Sequence, residues 1–443
     1  MRHLAAQNVV RSLLVMLGAA ALVNAELEAE NWPQWRGPYF NGSITEKGLP
    51  EHWSKTEKVN WVTPLPGCSG ATPAVWDNSI FISSPDPQKN LLLICVDRKD
   101  GKVRWQEVVA NGDRERGRNN MASPSPVTDG KNVCVLFGTG DLAGYDLSGK
   151  KLWARNLAKE YGRFAINFLY GSSPLLYQGR LFLEILQQNP VPSYYPHALD
   201  DKPDRDSVLL CLDPKTGKNL WRQVRLTDAV REAQEAYSTP IPCAGRNGAE
   251  IIVVGGNYTT AHSPDTGAEL WRCGGLNDGK ERSWRIVPSP VVAGGTIIAC
   301  RPKRDPVLGI KDGGKELVTD THIVWRFKEF PTDCVTPLFY QEKLFILDGD
   351  RQMMTCLEPQ TGEKKWQGNL GVREIFRASP TGADGKIYCL SESGTVVVLD
   401  AGAAFKIVST IGMGEAPVRS SVAISNGQLF IRTAKNLYCI GRP

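Results

Sequence analysis

Short apolar segments alternate with turn residues along most of the chain, and the pattern recurs at intervals. Most copies start with Ser-Pro or Thr-Pro and continue through apolar strands, a tight turn and a last strand that carries a tryptophan. In the clearest copy, residues 209–221, Asp213 ends the third strand, Thr216 and Gly217 form the turn, and Trp221 follows. Asp and Thr accept backbone hydrogen bonds in such turns, and Gly adopts a positive φ without strain. The repeat therefore predicts four-stranded antiparallel units.

The start of the repeat occurs eight times, at intervals of about 40 to 70 residues. The eight starts are Thr72-Pro73, Ser125-Pro126, Ser173-Pro174, Thr239-Pro240, Ser289-Pro290, Thr336-Pro337, Ser379-Pro380 and Ser421-Val422. A period of this length is typical of propeller blades. We therefore predict an all-β fold over residues 59–443, an eight-bladed β-propeller of four-stranded repeats.

The two ends of the repeat region complement each other. Trp61 carries the signature of an outer strand but has no earlier strands of its own, whereas the last copy stops at Ile440, before an outer strand. We expect the N-terminal strand to complete the C-terminal blade, because a closed ring leaves no strand edge open to aggregation.

A tryptophan recurs in the predicted outer strand of most copies. We predict that this side chain packs one blade against the next, with its indole N–H reaching a backbone carbonyl. The seventh copy has Val408 at this position, which predicts a weaker junction. The predicted blade-docking residues are Trp61, Trp105, Trp153, Trp221, Trp271, Trp325 and Trp366.

Residues 1–25 differ in composition from the rest of the chain. Arg2 and Arg11 flank a polar stretch, residues 13–23 are apolar, and small residues lead up to Ala25. This layout is typical of a secretory signal peptide that is cleaved after Ala25. We expect a periplasmic or secreted protein without a transmembrane segment, since no further run of ~20 apolar residues follows. No cysteine lies at the cleavage site, so we expect no lipid anchor there.

Residues 26–58 precede the repeats and include the sequence Trp-Pro-Gln-Trp-Arg-Gly-Pro at positions 32–38. Their proline and glycine content argues against regular secondary structure. We interpret this segment as a cap on the ring surface. An arm that binds a partner is the alternative.

Charge and histidine content exclude several function classes. The formal net charge is +5, with acidic and basic residues mixed along the whole chain, so no nucleic-acid partner is expected. The four histidines after residue 25 are His52, His197, His262 and His322. They lie far apart in the sequence, which predicts no metal site. No Gly-x-Ser-x-Gly motif occurs, and we predict no catalytic residues.

The chain has eleven cysteines, an odd number, and no Cys-x-x-Cys motif. Several of them occupy the same position in different repeats, which places them in different blades: Cys95, Cys211, Cys356 and Cys439. We therefore expect most cysteines to be unpaired, buried and small apolar residues. One or two disulfides remain an alternative among Cys68, Cys243, Cys273 and Cys334.

The pattern of Asp213, Thr216, Gly217, Lys218 and Trp221 resembles the PQQ-like β-propeller repeat family. The resemblance covers nearly the whole chain after residue 25. It implies a fold shared with BamB-like envelope scaffolds and with quinoprotein dehydrogenases, and the opening at residues 32–38 is similar to that of a subgroup of secreted members. Quinoprotein dehydrogenases typically carry adjacent cysteines beneath the cofactor and carboxylates that bind a metal. This chain has no adjacent cysteines and no Cys-x-x-Cys-His haem motif, so no cofactor is predicted.

These observations favour a non-catalytic binding or scaffold propeller of the bacterial cell envelope. We expect a monomer whose partner is an envelope protein or a small anionic ligand. One alternative is a PQQ-dependent type of oxidoreductase with its cofactor at the channel mouth. Another alternative is a carbohydrate or polyanion binder.

The first strand of each propeller blade lines the central channel, so the residues just before each repeat start should ring one mouth of the channel. Counting back two positions gives Gly70, Ser123, Gly171, Tyr237, Val287, Cys334, Arg377 and Arg419. Arg377 and Arg419 belong to neighbouring copies, and guanidinium groups are suited to carboxylate or phosphate ligands. We predict an anion site there that also includes Arg285, Glu235, Tyr237, Asp333 and Asn120. A purely structural network, in which Glu235 and Asp333 neutralise the arginines, is the alternative.

Two connecting segments stand out as possible partner-binding loops. Residues 111–120 concentrate basic and amide groups before the second blade, and residues 187–206 form a long insertion in the third. Long loops are often functional. The candidate residues are Arg116, Arg118, Asn119, Tyr194, Tyr195 and His197, and solvated surface is the alternative.

Overall fold

The computed structural model describes residues 30–192, 205–246, 248–304 and 306–442. These residues form eight antiparallel sheets, each with four strands in the blade arrangement and one with a short fifth strand. In blades 1 to 7 the strands follow one another from the channel outwards in chain order. The eight-bladed β-propeller predicted from the repeat is confirmed.

The strand bounds follow the repeat closely. From the innermost to the outermost strand, blade 1 consists of Ala74–Trp76, Ser79–Pro85, Asn90–Asp97 and Val103–Asn111, and blade 2 of Val127–Thr128, Asn132–Leu136, Asp141–Asp146 and Lys151–Asn156. Blade 3 consists of Leu175–Tyr177, Arg180–Ile185, Val208–Leu212 and Asn219–Val224, and blade 4 of Ile241–Gly245, Gly248–Gly255, Tyr258–His262 and Glu269–Cys273. Blade 5 consists of Val291–Ala293, Thr296–Cys300, Val307–Lys311 and Ile323–Phe327, and blade 6 of Leu338–Tyr340, Lys343–Asp348, Met353–Leu357 and Lys364–Asn369. Blade 7 consists of Thr381–Ala383, Lys386–Leu390, Thr395–Asp400 and Ile407–Gly412, and blade 8 of Ala423–Ser425, Gln428–Arg432, Asn436–Gly441 and Val59–Pro64.

Helices contribute little to the structure. The helical segments are Leu157–Tyr161 and Thr319–His322, which are α-helical, and Arg231–Gln234 and Pro302–Arg304, which are 3₁₀. A small hairpin, Glu115–Arg116 paired with Asn119–Asn120, precedes blade 2. Within the part of the chain that the structure describes, no helix is long and apolar enough to cross a membrane.

The N-terminal strand closes the ring, as the sequence predicts. Val59–Pro64 pairs antiparallel with Asn436–Gly441, and Trp61 lies opposite Cys439. The same pairing occurs inside blade 3, where Trp221 lies opposite Cys211. The eighth blade therefore has the same four-strand pattern as the others although its strands come from both ends of the repeat region.

Tryptophans on the outer strands join successive blades. Six indole N–H groups donate to a backbone carbonyl of the next blade: Trp61 to Arg98, Trp105 to Leu147, Trp153 to Pro214, Trp221 to Pro264, Trp325 to Pro359 and Trp366 to Gly402. The ring of Trp153, in blade 2, lies on Gly217 of blade 3. A Cβ on Gly217 would come within 2.4 Å of this ring, and the φ angle of Gly217 is +68°. Glycine is therefore required in this turn both by the backbone angle and by the approach of the neighbouring blade.

Trp271 differs from this pattern. Its indole N–H donates to the Glu250 carboxylate of its own blade, at 3.3 and 3.2 Å from the two oxygens. The reason lies in blade 5, where a long connection replaces the tight turn between the third and fourth strands. Its residues Glu316–Leu317 pair in parallel with Trp271 and Arg272. The expected carbonyl is therefore replaced by a strand that covers the outer edge of blade 4.

The Ser and Thr residues that start the repeats form a closed ring of hydrogen bonds, which we call the hydroxyl belt. The backbone N–H of each start residue donates to the side-chain hydroxyl of the next blade's start residue, at 2.8 to 3.1 Å. The order of the belt is Thr72, Ser125, Ser173, Thr239, Ser289, Thr336, Ser379, Ser421 and back to Thr72. This belt explains why Ser or Thr recurs at the start of every repeat.

Residues 30–49, here called the plug segment, lie at the channel end where the first and second strands of each blade connect. The segment's backbone bonds to four blades: Trp32 to Val75 of blade 1, Pro33 to Thr128 of blade 2, Asn41 to Phe339 of blade 6, and Gly42 and Ile44 to Gly382 of blade 7. Blades 2 and 6 are opposite each other in an eight-membered ring. The segment therefore crosses the channel axis between Pro33 and Asn41.

All eleven cysteines are unpaired, and nine of them are buried. Cys68 and Cys334 are partly exposed. The recurrent cysteines lie opposite the blade-docking tryptophans, as Cys211 does, and Gly144 takes the same place opposite Trp153. A small residue is needed there because the indole ring folds over it: a Cβ on Gly144 would come within 2.4 Å of the Trp153 ring.

Candidate ligand-binding cavity

A cavity of about 360 Å³ occupies the central channel. Its wall includes all eight residues that lie two positions before the repeat starts: Gly70, Ser123, Gly171, Tyr237, Val287, Cys334, Arg377 and Arg419. Six residues of the hydroxyl belt also line it: Ser125, Ser173, Thr239, Thr336, Ser379 and Ser421. Because each belt residue follows these positions in the chain and leads into the first strand of its blade, the hydroxyls lie between the mouth and the plug segment.

Trp35 of the plug segment lines the cavity at its far end. Its neighbours are held firmly: Gln34 Oε1 accepts from the Leu176 N–H at 3.2 Å, and the Arg36 side chain is buried. The Arg36 guanidinium donates to the carbonyls of Pro337, Pro380 and Asn41 at 2.7, 2.9 and 3.0 Å. Burial lowers the pKa of Arg36 to about 9. The plug segment thus closes this end of the channel with an indole ring facing the cavity.

Three arginines line the opposite end, which we call the mouth, and each pairs with one carboxylate. Arg377 Nη2 lies 2.5 Å from Asp350 Oδ1, and Arg419 Nε lies 2.9 Å from Glu392 Oε1. In both cases the acid follows the second strand of the blade that precedes the arginine. The third arginine, Arg285, has Nη1 at 3.1 Å from Glu232 Oε1. Its guanidinium also lies over the ring of Phe168, at 4.9 Å from the centroid.

The hairpin at residues 115–120, here called the mouth hairpin, reaches over the cavity. Arg118 and Asn119 line the cavity wall, so these two residues of the predicted partner-binding loop face the channel. Arg118 Nε donates to Glu392 at 3.1 Å, and Arg419 Nη1 donates to the Arg118 carbonyl at 2.7 Å. Asn119 Nδ2 donates to the Phe168 carbonyl at 3.0 Å. The hairpin is thereby tied to both sides of the mouth.

Glu235 lies behind the cavity wall rather than in it. Its carboxylate accepts hydrogen bonds from Gln188 Nε2 and, at 2.7 Å, from the Tyr237 hydroxyl. Tyr237 lines the cavity, and its hydroxyl accepts from the Phe168 N–H at 3.0 Å. Burial raises the pKa of Glu235 to about 7 and also raises the pKa of Tyr237. Glu235 therefore supports the wall of the cavity through Tyr237.

The remaining predicted site residues have other partners. Asp333 Oδ1 accepts from the Lys303 N–H at 2.6 Å, and Asn120 Nδ2 donates to the Cys68 carbonyl at 2.7 Å. The carboxylates that pair with the mouth arginines are thus Asp350, Glu392 and Glu232 instead of Glu235 and Asp333. Arg116 Nη2 donates to Asn167 Oδ1 at 2.6 Å. Tyr194, Tyr195 and His197 lie outside the described residues.

The side chains of the cavity are suited to holding an anion. No described residue in the cavity wall is a carboxylate, and no group of three or more metal-ligating side chains occurs among the described residues. Burial raises the pKa of the Cys334 thiol to about 11, so this group is protonated at neutral pH. Sequence reasoning missed Trp35, Phe168 and the belt hydroxyls as lining residues. The recurring Ser or Thr was a usable signal for the belt.

The fold and the cavity define this protein as an eight-bladed β-propeller with a channel closed at one end and arginines at the other. The sequence model of the family described as "Outer membrane protein assembly factor BamB" matches residues 51–183, 204–310 and 318–422. The chain belongs to this family. No curated protein matches the sequence.

Solved structures share the fold at low sequence identity. BamB from Moraxella catarrhalis is 14% identical with a TM-score of 0.58, over 86% of this chain and 99% of that one. Quinohemoprotein alcohol dehydrogenase from Comamonas testosteroni is 12% identical with a TM-score of 0.63, over 93% and 81%. A europium-containing methanol dehydrogenase is 10% identical with a TM-score of 0.63, over 93% and 89%. At these identities the likeness concerns the fold alone.

Proposed function

We propose that this protein is a non-catalytic binding propeller of the bacterial cell envelope that takes a small anionic ligand in its channel cavity. The observation that carries this proposal is the convergence of Arg285, Arg377 and Arg419 on one cavity with a closed end. Guanidinium groups bind carboxylate and phosphate through paired, charge-assisted hydrogen bonds. Arginines from three different blade junctions can therefore contact one ligand together.

The pairing of the arginines supports a ligand role. Each carboxylate partner holds one side of its guanidinium and leaves other N–H groups for a ligand. Arg118 adds a fourth guanidinium, which shares the Glu392 carboxylate with Arg419.

The envelope location rests on the signal-like residues 1–25 and on membership of the BamB family. The family description also supports an envelope protein as a partner. We expect such a partner to contact the face around the mouth, where Arg116 and the mouth hairpin lie, and we expect the propeller to act as a monomer.

Calorimetric titration of the mature chain with inorganic phosphate and with citrate at low ionic strength tests the anion site. The double variant Arg377→Ala, Arg419→Ala should weaken binding by about 100-fold or more, since hydrogen bonds to charged groups contribute about 1.5–3 kcal/mol each and two of them are lost. Arg351→Ala is the matched control, because Arg351 lies near the mouth and pairs with Asp348 but does not line the cavity. Unchanged affinity in the double variant would show that the ligand site lies elsewhere.

An oxidoreductase that uses a quinone cofactor is the second candidate, and the alcohol and methanol dehydrogenases of the same fold are the observation that favours it. The cavity does not fit this chemistry well. Its described wall contains no carboxylate for a metal, and Cys334 is its single cysteine. Dye-linked alcohol or sugar oxidation after reconstitution with PQQ and calcium would support this candidate. Absence of oxidation together with anion binding would favour the binding protein.

A further inference from the structure

The inner wall of the cavity differs in chemistry from its mouth. Ligand pockets are lined predominantly by hydrophobic and aromatic side chains. Here six hydroxyl groups of the belt surround the inner part. Among the described residues, Val287 is the one aliphatic side chain in the wall. A ligand that reaches past the arginines therefore meets hydroxyl groups over most of its surface.

The hydroxyl belt presents these groups in fixed positions. The Ser379 oxygen accepts from the Thr336 N–H at 3.1 Å, and the Ser173 oxygen accepts from the Ser125 N–H at 3.0 Å. A hydroxyl has one donor hydrogen and two acceptor lone pairs. After accepting one backbone bond, each belt hydroxyl keeps its hydrogen and one lone pair. Such a group can donate to and accept from a ligand hydroxyl.

Trp35 adds a flat apolar surface at the closed end of the cavity. The sequence neighbours of Trp35, Gln34 and Arg36, are held by hydrogen bonds to the backbone of the blades. The Arg36 guanidinium also lies 5.8 Å from the centroid of the Trp35 ring. Aromatic faces attract C–H groups of a partner that carries partial positive charge. A sugar ring has such a C–H face together with hydroxyls around its edge.

We propose that the ligand is a sugar acid, with its hydroxyls on the belt, one ring face on Trp35 and its carboxylate at Arg377 and Arg419. This inference rests on the proposed function, because it names the ligand class of the same cavity. It adds that the belt and Trp35 select among anions, whereas the arginines alone would bind any small carboxylate or phosphate.

Calorimetric titration of the mature chain with glucuronate, glucose and citrate tests the ligand class. Glucuronate should bind at least tenfold more tightly than citrate, which has three carboxylates but no ring and a single hydroxyl, and more tightly than glucose, which lacks the carboxylate. Citrate binding as tight as glucuronate would overturn the sugar-acid inference and leave the anion site standing. Failure of glucuronate, citrate and inorganic phosphate alike to bind would overturn both proposals.

Ser379→Ala and Ser289→Ala form a matched pair of variants. Both residues belong to the belt and accept one backbone N–H, but Ser379 lines the cavity and Ser289 does not. Both changes should lower the melting temperature to a similar extent. Ser379→Ala should also weaken glucuronate binding by roughly three- to tenfold, the worth of one neutral hydrogen bond, and should weaken citrate binding less. Ser379→Thr keeps the hydroxyl and should restore affinity. Equal glucuronate affinity in Ser379→Ala and Ser289→Ala would overturn the role of the belt.

Discussion

Arginine side chains occupy both ends of the channel, but in different surroundings. At the closed end, Arg36 is buried and its guanidinium donates to three backbone carbonyls. At the mouth, Arg377 and Arg419 line the cavity and face carboxylates on one side only. Backbone carbonyls cannot move without moving their blades, whereas a carboxylate side chain can exchange its place with a ligand anion. The first arrangement therefore serves the fold, whereas the second fits the proposed anion site.

The largest effect that separates the two ends is expected from Arg36→Ala. This change leaves the carbonyls of Pro337, Pro380 and Asn41 without their donor, and each buried unpaired group costs about 1–3 kcal/mol. We expect a loss of roughly 4 kcal/mol in the free energy of unfolding. Arg377→Ala should cost about 1 kcal/mol, because it breaks one ion pair in a partly solvated site.

Urea unfolding followed by tryptophan fluorescence measures both changes. Anion titration of the same two variants completes the comparison, since Arg377→Ala should weaken binding more than it lowers stability. Equal stability losses in the two variants would show that the mouth arginines are as structural as the one in the plug segment.

A second effect concerns Glu235 behind the mouth. Burial raises its pKa to about 7, above the value of 4.5 that a glutamate has in the unfolded chain. Between pH 4.5 and pH 7, the Glu235 carboxyl group is therefore protonated in the folded protein but ionised in the unfolded chain. The stability contributed by this group is full below pH 4.5 and is lost as pH rises through 7.

The variant Glu235→Gln cannot ionise, so it should lack this loss of stability. Relative to the unmodified protein, its free energy of unfolding should rise between pH 4.5 and pH 7 by roughly 3 kcal/mol at most. Thermal unfolding at a series of pH values measures the difference. A constant difference across this range would mean that Glu235 is as solvated as an ordinary surface acid, and that the wall behind Tyr237 is open to water.

The ring of blades could be predicted from the sequence because the residues that each blade needs recur in each repeat. Gly217 is needed beneath Trp153, and the belt needs Ser or Thr at each start, so the local pattern reports the global arrangement. Counting from the same starts reached Arg377 and Arg419, because position along the first strand fixes depth in the channel.

Side chains of the cavity that do not recur from repeat to repeat could not be found in this way. Trp35 lies in the plug segment, whose position depends on contacts with blades that are distant in sequence. The acids that pair with the arginines were also missed. Asp350 and Glu392 lie in loops after second strands, and which loops meet at the mouth depends on the ring geometry rather than on sequence distance.

The smallest expected difference tests what makes the closed end rigid, and blade 3 offers a matched pair of glycines. Gly217 and Gly179 both lie in turns at that end, with φ of +68° and +71°. A Cβ on Gly217 would lie 2.4 Å from the Trp153 ring, whereas a Cβ on Gly179 would have nothing within 4 Å. Alanine at either position incurs backbone strain of about 1 kcal/mol. Gly217→Ala should cost about 1–3 kcal/mol more, because it also overpacks the junction with the preceding blade. Equal melting temperatures for the two variants would mean that the turn conformation, and not the contact of Trp153 with the next blade, sets the stability of this end.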